Sequence, residues 1–281
     1  MEKSRYQEAL RCPVCGSGMA QDKSVGAGRW QCLGARVHSF DMAKSGYVHL
    51  APRHSGGGDA KEAVRARTAF LSAGYYGVAA EALCELTKKY IPAGLVVDAG
   101  CGEGYYTNAL AEALGDGCEV CGFDLSRDAV DAAAKAAKRQ GLSASYAVGS
   151  VFELPLGEAT ADGVVNIFAP CAEAEYSRVL KTGGVLIVVG AGERHLLGLK
   201  RAIYDETYEN AGRADLPVNM RLCERVTVRD EIIVEGREQI ANLFSMTPYY
   251  WRTSRDGHSR LAAADQLETE VSFDLHVYEK F

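Results

Sequence analysis

The chain has 281 residues, 47% of them hydrophobic, and a formal net charge of −6. This length suits one α/β domain with a smaller appendage. There is no apolar run of the roughly 20 residues that span a bilayer and no secretory leader, so we expect a cytoplasmic protein without a membrane partner. Residues 1–67 carry a net charge of +5 and residues 68–281 a net charge of −11. That distribution suggests a polyanionic partner for the first segment, although ordinary charge scatter is the alternative.

Residues 1–50 are predicted to form a small, turn-rich unit. It contains Cys12, Cys15, Cys32 and His38. A unit of this size buries little apolar core and needs a disulfide or a bound metal to be stable. Three thiolates with an imidazole at this spacing are typical of a zinc site. A redox-active C-x-x-C is the alternative, but no βαβ pattern surrounds it. We therefore predict one zinc ion on these four side chains.

Residues 51–75 are predicted to be a linker followed by a helix. The linker is rich in glycine, and the helix begins near Ala60. Three basic side chains lie on this helix, namely Lys61, Arg65 and Arg67. Because they belong to the basic end of the chain, we expect them to contact the phosphates of a nucleic acid.

Residues 76–281 are predicted to form the main domain, in which strands and helices alternate. Alternation of this kind gives a parallel sheet with helices on both faces, so the fold class is α/β. Past residue 215 two longer strand-like runs predict an antiparallel hairpin that closes the sheet. The predicted strands lie near 95–98, 119–123, 144–148, 163–167, 184–190, 225–234 and 270–278. The predicted helices lie near 78–90, 104–115, 126–140, 172–181, 195–207 and 236–244.

The first strand of this domain runs into the motif D-A-G-C-G-E-G-Y-Y. Its three glycines, Gly100, Gly102 and Gly104, fall on a strand-to-helix turn and let the backbone approach a ligand. A dinucleotide-binding motif would need a glycine at position 105, where Tyr105 stands. Asp98 precedes the first glycine by two residues. Acid-x-G-x-G-x-G resembles the first motif of Rossmann-like S-adenosylmethionine (SAM) methyltransferases, with a ligand-free glycine turn as the alternative.

A second acid, Asp124, stands at the end of the next predicted strand. A carboxylate in this position suits a ribose diol, because it accepts two hydroxyl hydrogen bonds. The alternative is a helix N-cap for the helix that follows. The position of the acid, a little over twenty residues past the glycines, favours the ribose.

Together the motifs resemble the RlmA-type large-subunit ribosomal RNA guanine-N1 methyltransferases, a family that includes macrolide-resistance relatives. The glycine motif alone indicates only a methyltransferase, whereas F-D-M-A-K-S-G-Y and G-x-R-H-L are far more specific. The resemblance rests on C-P-x-C, the Cys/His pair, F-D-M-A-K-S-G-Y, R-x-A-F-L-x-A-G-Y-Y, D-A-G-C-G-E-G-Y-Y, I-F-A-P-C, G-E-R-H-L and M-T-P-Y-Y-W.

The resemblance implies a Rossmann-like SAM methyltransferase domain with a small N-terminal zinc-binding domain. It further implies a homodimer whose zinc module helps to hold a hairpin of 23S ribosomal RNA. SAM contacts are implied at Tyr76, at the turn Gly102–Gly104 with its Glu103, and at His195. From the residues alone, the preferred interpretation of Tyr76 is a packing aromatic and that of His195 is a residue at a helix end.

The sequence N-I-F-A-P-C ends the fourth predicted strand. Enzymes of this fold class usually bind their substrate at that place. We predict that Phe168 stacks on a flipped guanine and that Asn166 bonds its edge, with core packing as the alternative for Phe168. No catalytic base is assigned. Two other functions stay open, namely a small-molecule SAM methyltransferase with a zinc appendage and a non-catalytic RNA-binding protein that keeps SAM as a structural ligand. The basic N-terminal segment favours RNA, and the intact glycines with Asp124 favour catalysis.

Overall fold

A computed structural model describes residues 4–24, 26–51, 58–210 and 219–281. Most of the predicted glycine-rich linker, at residues 52–57, lies outside the described residues. In the described ranges, no helix is both long enough and apolar enough to cross a bilayer. The helices are α1 (Arg5–Ala9), α2 (Lys61–Ser72), α3 (Gly77–Tyr90), α4 (Tyr105–Leu114), α5 (Arg127–Gln140), α6 (Glu173–Val179), α7 (Leu197–Ile203), α8 (Arg237–Ser245) and α9 (Arg255–Ala262). The strands are β1 (Met19–Asp22), β2 (Arg29–Cys32), β3 (Ser39–Asp41), β4 (Val48–His49), β5 (Gly94–Ala99), β6 (Cys118–Asp124), β7 (Ala144–Val148), β8 (Ala161–Ile167), β9 (Leu180–Ala191), β10 (Met220–Glu235) and β11 (Gln266–Lys280).

A large mixed sheet forms the centre of the protein, with the strand order β10-β11-β9-β8-β5-β6-β7-β4. The strands from β9 to β4 in this order pair in parallel, and β11 pairs antiparallel with both β9 and β10. Leu95, Val96 and Val97 of β5 are fully buried, as a parallel strand covered on both faces requires. The predicted α/β class is confirmed, together with the antiparallel closing pair.

The strand order of the sheet reverses at β5. Strands β6 and β7 follow β5 on one side, whereas β8 and β9 lie on the other. In open parallel sheets, ligands bind in the crevice at the carboxyl ends of the strands where the order reverses. In this protein that crevice lies between the turn after Ala99 and the loop after Ile167.

The antiparallel pair β10 and β11 is longer than the sequence predicts and is connected through α8 and α9. Helix α8 agrees with its predicted range, whereas α9 was not predicted. The reason lies in its sequence, R-D-G-H-S-R-L-A, which buries Gly257 and Leu261 and shows no apolar helical stripe.

The three strands β1, β2 and β3 form a separate antiparallel sheet near the N-terminus. The segments on either side of it pack with the large domain. The backbone N–H groups of Arg5 and Tyr6 in α1 donate to the Glu119 carboxylate of β6, at 2.8 and 3.0 Å, and β4 pairs with β7. Both ends of the 1–50 unit therefore contact the large sheet. The domain boundary at residue 50 stays a prediction.

Helix α2 also joins the main domain. Phe70 and Leu71 are buried in the same apolar cluster as residues of α3, α8 and β11. The predicted segment 51–75 thus contributes core to the domain that follows it, and its second boundary likewise stays a prediction.

Candidate active site and zinc centre

The turn between β5 and α4 depends on glycine. Gly100, Gly102 and Gly104 have φ of +93°, +53° and +82°, values that L side chains rarely adopt. A Cβ at Gly100 would lie 2.4 Å from the Ala169 Cβ, and one at Gly104 would lie 2.6 Å from the Ala133 Cβ. The turn is therefore packed closely between the loop after β8 and helix α5.

Asp98 is completely buried beneath this turn. Its Oδ2 accepts a hydrogen bond from the Thr107 hydroxyl at 2.5 Å, while Oδ1 has no hydrogen-bond partner among the described residues. Burial raises the pKa of Asp98 to about 7, an effect that the Thr107 hydroxyl partly opposes. The site thus contains a buried carboxyl group whose Oδ1 has no partner among the described residues and whose pKa lies near neutral pH.

Asp124 connects the end of β6 to the glycine turn. Its Oδ2 accepts from the Gly102 N–H at 3.0 Å, and its Oδ1 accepts from the Ser126 N–H at 2.7 Å. Burial raises the pKa of Asp124, and these two donors partly offset the rise. The N-cap of α5 is Ser126, whose hydroxyl accepts from the Ala129 N–H. Asp124 therefore is not the helix cap, which was the alternative to its predicted ligand role.

Tyr76 and His195 form a buried pair on the other side of the crevice. The Tyr76 hydroxyl is 3.2 Å from His195 Nε2, and the Ser272 N–H donates to His195 Nδ1 at 3.2 Å. Because Nδ1 accepts, the hydrogen-bond network assigns the ring proton to Nε2, which donates to the tyrosine oxygen. Burial lowers the pKa of His195 to about 4, so the imidazole is neutral at pH 7. The rings of both residues also pack against Phe273.

The turn that carries His195 is held by a network that the sequence did not reveal. The Asn210 side-chain amide donates to the carbonyls of Gly192 and His195, at 2.9 and 3.3 Å. The amide oxygen of Asn210 accepts from Lys200 Nζ at 2.7 Å, and Lys200 is completely buried. Nothing in the charge pattern of α7 signals that this lysine faces inward.

The loop after β8 presents an aromatic ring to the crevice. Phe168 has φ +51° and is 50% exposed, with its ring 5.8 Å from that of His195. Half-exposure and a left-handed backbone favour the predicted stacking role over core packing, although the ring also contacts Phe273. Asn166 is buried, and its side-chain NH₂ lies 3.4, 3.2 and 3.0 Å from acceptors on Ala99, Pro170 and Tyr176. Asn166 therefore anchors the loop, and its NH₂ group faces protein acceptors.

Glu103 is also buried at the turn, and it forms an ion pair with Arg67 of α2. The expectation that Arg67 is a phosphate contact is wrong, because its guanidinium faces the glycine turn. The exposed basic residues of this helix are Lys61 and Arg65.

The four predicted metal ligands converge near the small sheet. The ligand atoms of Cys12, Cys15, Cys32 and His38 all lie within 4.8 Å of one another. The sulfurs of Cys15 and Cys32 are 3.8 Å apart, and His38 Nδ1 lies 3.6 Å from the Cys12 sulfur and 3.4 Å from that of Cys32. A tetrahedron with zinc–sulfur bonds of about 2.3 Å has sulfur–sulfur edges of about 3.8 Å. The set therefore fits one zinc ion.

Comparison with known proteins identifies the family. The RlmA N-terminal zinc ribbon matches residues 10–55, and a methyltransferase domain matches residues 96–184. A candidate 23S rRNA (guanine-N(1)-)-methyltransferase of Micromonospora griseorubida is 33% identical over 267 residues, 87% of each chain. The 23S rRNA (guanine(748)-N(1))-methyltransferase of Streptomyces fradiae is 35% identical over 69% of this chain and 67% of its own. The chain belongs to the RlmA-type methyltransferase family. A further relative, the candidate 23S rRNA (guanine-N(1)-)-methyltransferase YxjB of Bacillus subtilis (strain 168), is 29% identical over 95% of both chains.

An RlmA-type protein takes two bound groups, SAM and zinc, and the residues present fit both. For SAM, the glycine turn has no side chain at three positions at the end of β5, Asp98 offers a buried oxygen with no partner among the described residues, and Asp124 lies against Gly102. SAM supplies an electrophilic methyl group when bound. For zinc, three sulfurs and one imidazole nitrogen form the donor set.

Removal of zinc is expected to unfold the ribbon while the large domain stays folded. The small sheet buries Trp30 beside the metal ligands and has little other core. Cys32→Ser, or chelation, should lower the zinc content from one ion per chain and shift Trp30 fluorescence to the red. We would measure both in a Trp251→Phe background, so that Trp30 is the single tryptophan.

Cys223→Ser is the matched control, since Cys223 is exposed and lies outside the cluster. If both serine variants bind equal amounts of zinc, or if the unsubstituted protein contains no stoichiometric zinc, the assignment is wrong.

Asp98 should make the stability depend on pH. Its folded pKa of about 7 exceeds the unfolded value of about 3.9, so the native state binds more protons between these values and stability falls as pH rises. Asp98→Asn does not undergo this decrease. Between pH 5 and pH 8, the free energy of unfolding of the Asp98→Asn variant should increase by about 2 kcal/mol relative to that of the unsubstituted protein, as measured by urea unfolding. Asp116→Asn, at an exposed acid, should show no such gain; an equal gain in both variants would contradict the assignment.

Proposed function

We propose that this protein transfers the methyl group of SAM to N1 of a guanine in a hairpin loop of 23S ribosomal RNA. The observation that carries the proposal is the match to 23S rRNA (guanine-N1) methyltransferases across 87% of the chain, zinc ribbon and catalytic domain together. A homodimer in the cytoplasm is part of the proposal, because the family resemblance implies it.

For the cofactor, we assign the ribose to Asp124 and the sulfonium to the opposite wall of the crevice. Each carboxylate oxygen of Asp124 uses one acceptor position on a backbone N–H, so both retain capacity for the ribose hydroxyls. Tyr76 and His195 are both neutral and aromatic, which suits the positively charged sulfonium. Asp98 then offers its unpartnered oxygen to the positive end of the cofactor.

For the substrate, Phe168 is the proposed stacking platform. It stands half-exposed beside His195 at the mouth of the crevice, where a flipped base would approach the methyl group. Asn166 acts through it, because its amide anchors the loop that carries the ring. A loop guanine suits this arrangement, since unstacking a single-stranded base costs less than opening a duplex pair.

Methyl transfer to N1 requires loss of the N1 proton. Alignment of nucleophile, methyl and sulfur supplies several kcal/mol of the rate enhancement. The Nε2–H of neutral His195 donates a hydrogen bond to the Tyr76 oxygen, and the pKa of His195 is about 4. His195 is therefore too weak a base to remove the guanine N1 proton. We therefore expect the rate to rise with pH as more of the bound guanine ionises.

The methylation assay offers tritiated SAM with 23S rRNA fragments and, separately, with a panel of small-molecule acceptors. Label should enter RNA, and primer extension should stop at one loop guanine, because N1-methylguanine cannot pair. Phe168→Ala should slow methylation about 10-fold or more and retain SAM binding, since base stacking contributes about 1–3 kcal/mol.

Phe281→Ala is the control, because Phe281 is equally apolar, 71% exposed and at the chain terminus. Label in a small molecule and never in RNA would favour the small-molecule methyltransferase. Cofactor binding without transfer to any acceptor would favour the non-catalytic RNA-binding protein.

Charge reversal at Lys61 and Arg65 should weaken RNA binding and leave SAM binding unchanged. If both side chains bind phosphates, the dependence of log affinity on log salt should flatten by about 0.7–0.9 for each phosphate that the variant no longer neutralises. Lys181→Glu with Arg221→Glu makes the same charge change near the amino ends of the parallel strands, at the end of the sheet opposite the crevice. A salt dependence that changes equally in both double variants would place the RNA elsewhere.

A further inference from the structure

The guanidinium of Arg67 occupies an unexpected position over the glycine turn. Its Nε contacts the Glu103 carboxylate and its Nη1 contacts the Asp59 carboxylate, both at 2.5 Å. A Cβ built on Gly102 would lie 3.1 Å from Nη2, so the third nitrogen lies against the face of the turn that glycine leaves open. The side chain is 24% exposed, which is low for an arginine on a surface helix.

Two of the three guanidinium nitrogens are thus held by protein, and the third is directed at the turn. The described residues offer Nη2 no hydrogen-bond partner, whereas a guanidinium has five N–H donors. Asp59 is itself fixed in place, because its carbonyl accepts from the Ser126 hydroxyl at 3.0 Å. The arginine is therefore oriented by its two carboxylates with a donor edge left over.

The charges around the turn show what this donor edge suits. Asp98, Glu103 and Asp124 all lie at the turn. Burial raises the pKa of Asp124 and the Arg67 guanidinium partly offsets that rise, so the guanidinium is within electrostatic reach of Asp124. The methionine end of SAM carries a sulfonium, an ammonium and a carboxylate. The acids favour the two cations, but they repel the carboxylate unless a positive group accompanies them.

We propose that Arg67 binds the α-carboxylate of SAM through Nη2, with Glu103 and Asp59 as positioning residues that orient the guanidinium. A charge-assisted hydrogen bond from arginine to a carboxylate is among the stronger polar contacts in proteins. Glu103, which the family resemblance suggests as a direct cofactor contact, acts in this assignment through the arginine. The proposal concerns the cofactor and is independent of the proposed RNA substrate.

Decarboxylated SAM provides the test, because it keeps the adenosine, sulfonium and amine and lacks only the carboxylate. Calorimetry without RNA should show that the unsubstituted protein binds SAM roughly 10- to 100-fold more tightly than decarboxylated SAM. In Arg67→Met this preference should disappear, and the affinity for decarboxylated SAM should change little. Arg65→Met, at an exposed arginine of the same helix, should keep the full preference.

A purely structural role for Arg67 predicts a different result. The methionine variant would then weaken both ligands equally and retain the preference for SAM, which overturns the proposal. If Arg67→Met does not fold, Arg67→Lys keeps the charge without the planar fork and should retain only part of the preference. Equal binding of the two ligands by the unsubstituted protein overturns the proposal whatever the variants do. A failed RNA methylation assay would leave this result unaffected.

Discussion

The left-handed backbone between β5 and α4 is the constraint on which the rest of the site depends. Any side chain at Gly100 would collide with Ala169 and any at Gly104 with Ala133, so the turn can pack against the loop after β8 and against α5 at once. That close packing brings the Gly102 N–H to Asp124. The ends of three strands thereby meet at one point, which is where the strand order reverses.

The same packing buries charge at a cost to stability. Asp98 and Glu103 are buried, and one oxygen of Asp98 has no hydrogen-bond partner among the described residues. Of these two acids, Glu103 forms an ion pair with a described residue, Arg67, and Asp98 does not. A fold selected for stability alone would place apolar side chains here, since an unpaired buried carboxyl is unfavourable. Such a local conflict with the rules of packing is expected where a ligand completes the hydrogen bonds. A cofactor that carries positive charge compensates these acids, and so the unfavourable groups indicate the chemistry of the ligand.

Features carried by local sequence could be predicted, and features that depend on distant contacts could not. Apolar runs and glycines fix the parallel strands and the turn, and cysteine spacing fixes the metal ligands, because each signal lies within one short segment. In contrast, His195 takes its tautomer from Ser272, 77 positions along the chain. Arg65 and Arg67 look alike in sequence, yet one is exposed and the other faces Glu103, since the packing of Phe70 and Leu71 sets the rotation of α2. Phe168 is half-exposed and has a positive φ, a backbone conformation for which a phenylalanine gives no local signal.

The position of β4 explains how the ribbon and the cofactor turn belong to one structure. Because β4 pairs in parallel with β7, it ends at the carboxyl edge of the sheet, the edge that carries the crevice. Gly58 packs on Ser126 so closely that a Cβ at residue 58 would lie 2.7 Å from the Ser126 Cα. Asp59 then contacts Arg67, and Arg67 covers Gly102. The other end of the ribbon is held by α1, through Glu119 of β6. The ribbon is thus attached at both of its ends to neighbouring strands of the large sheet, to β6 through α1 and to β7 through β4.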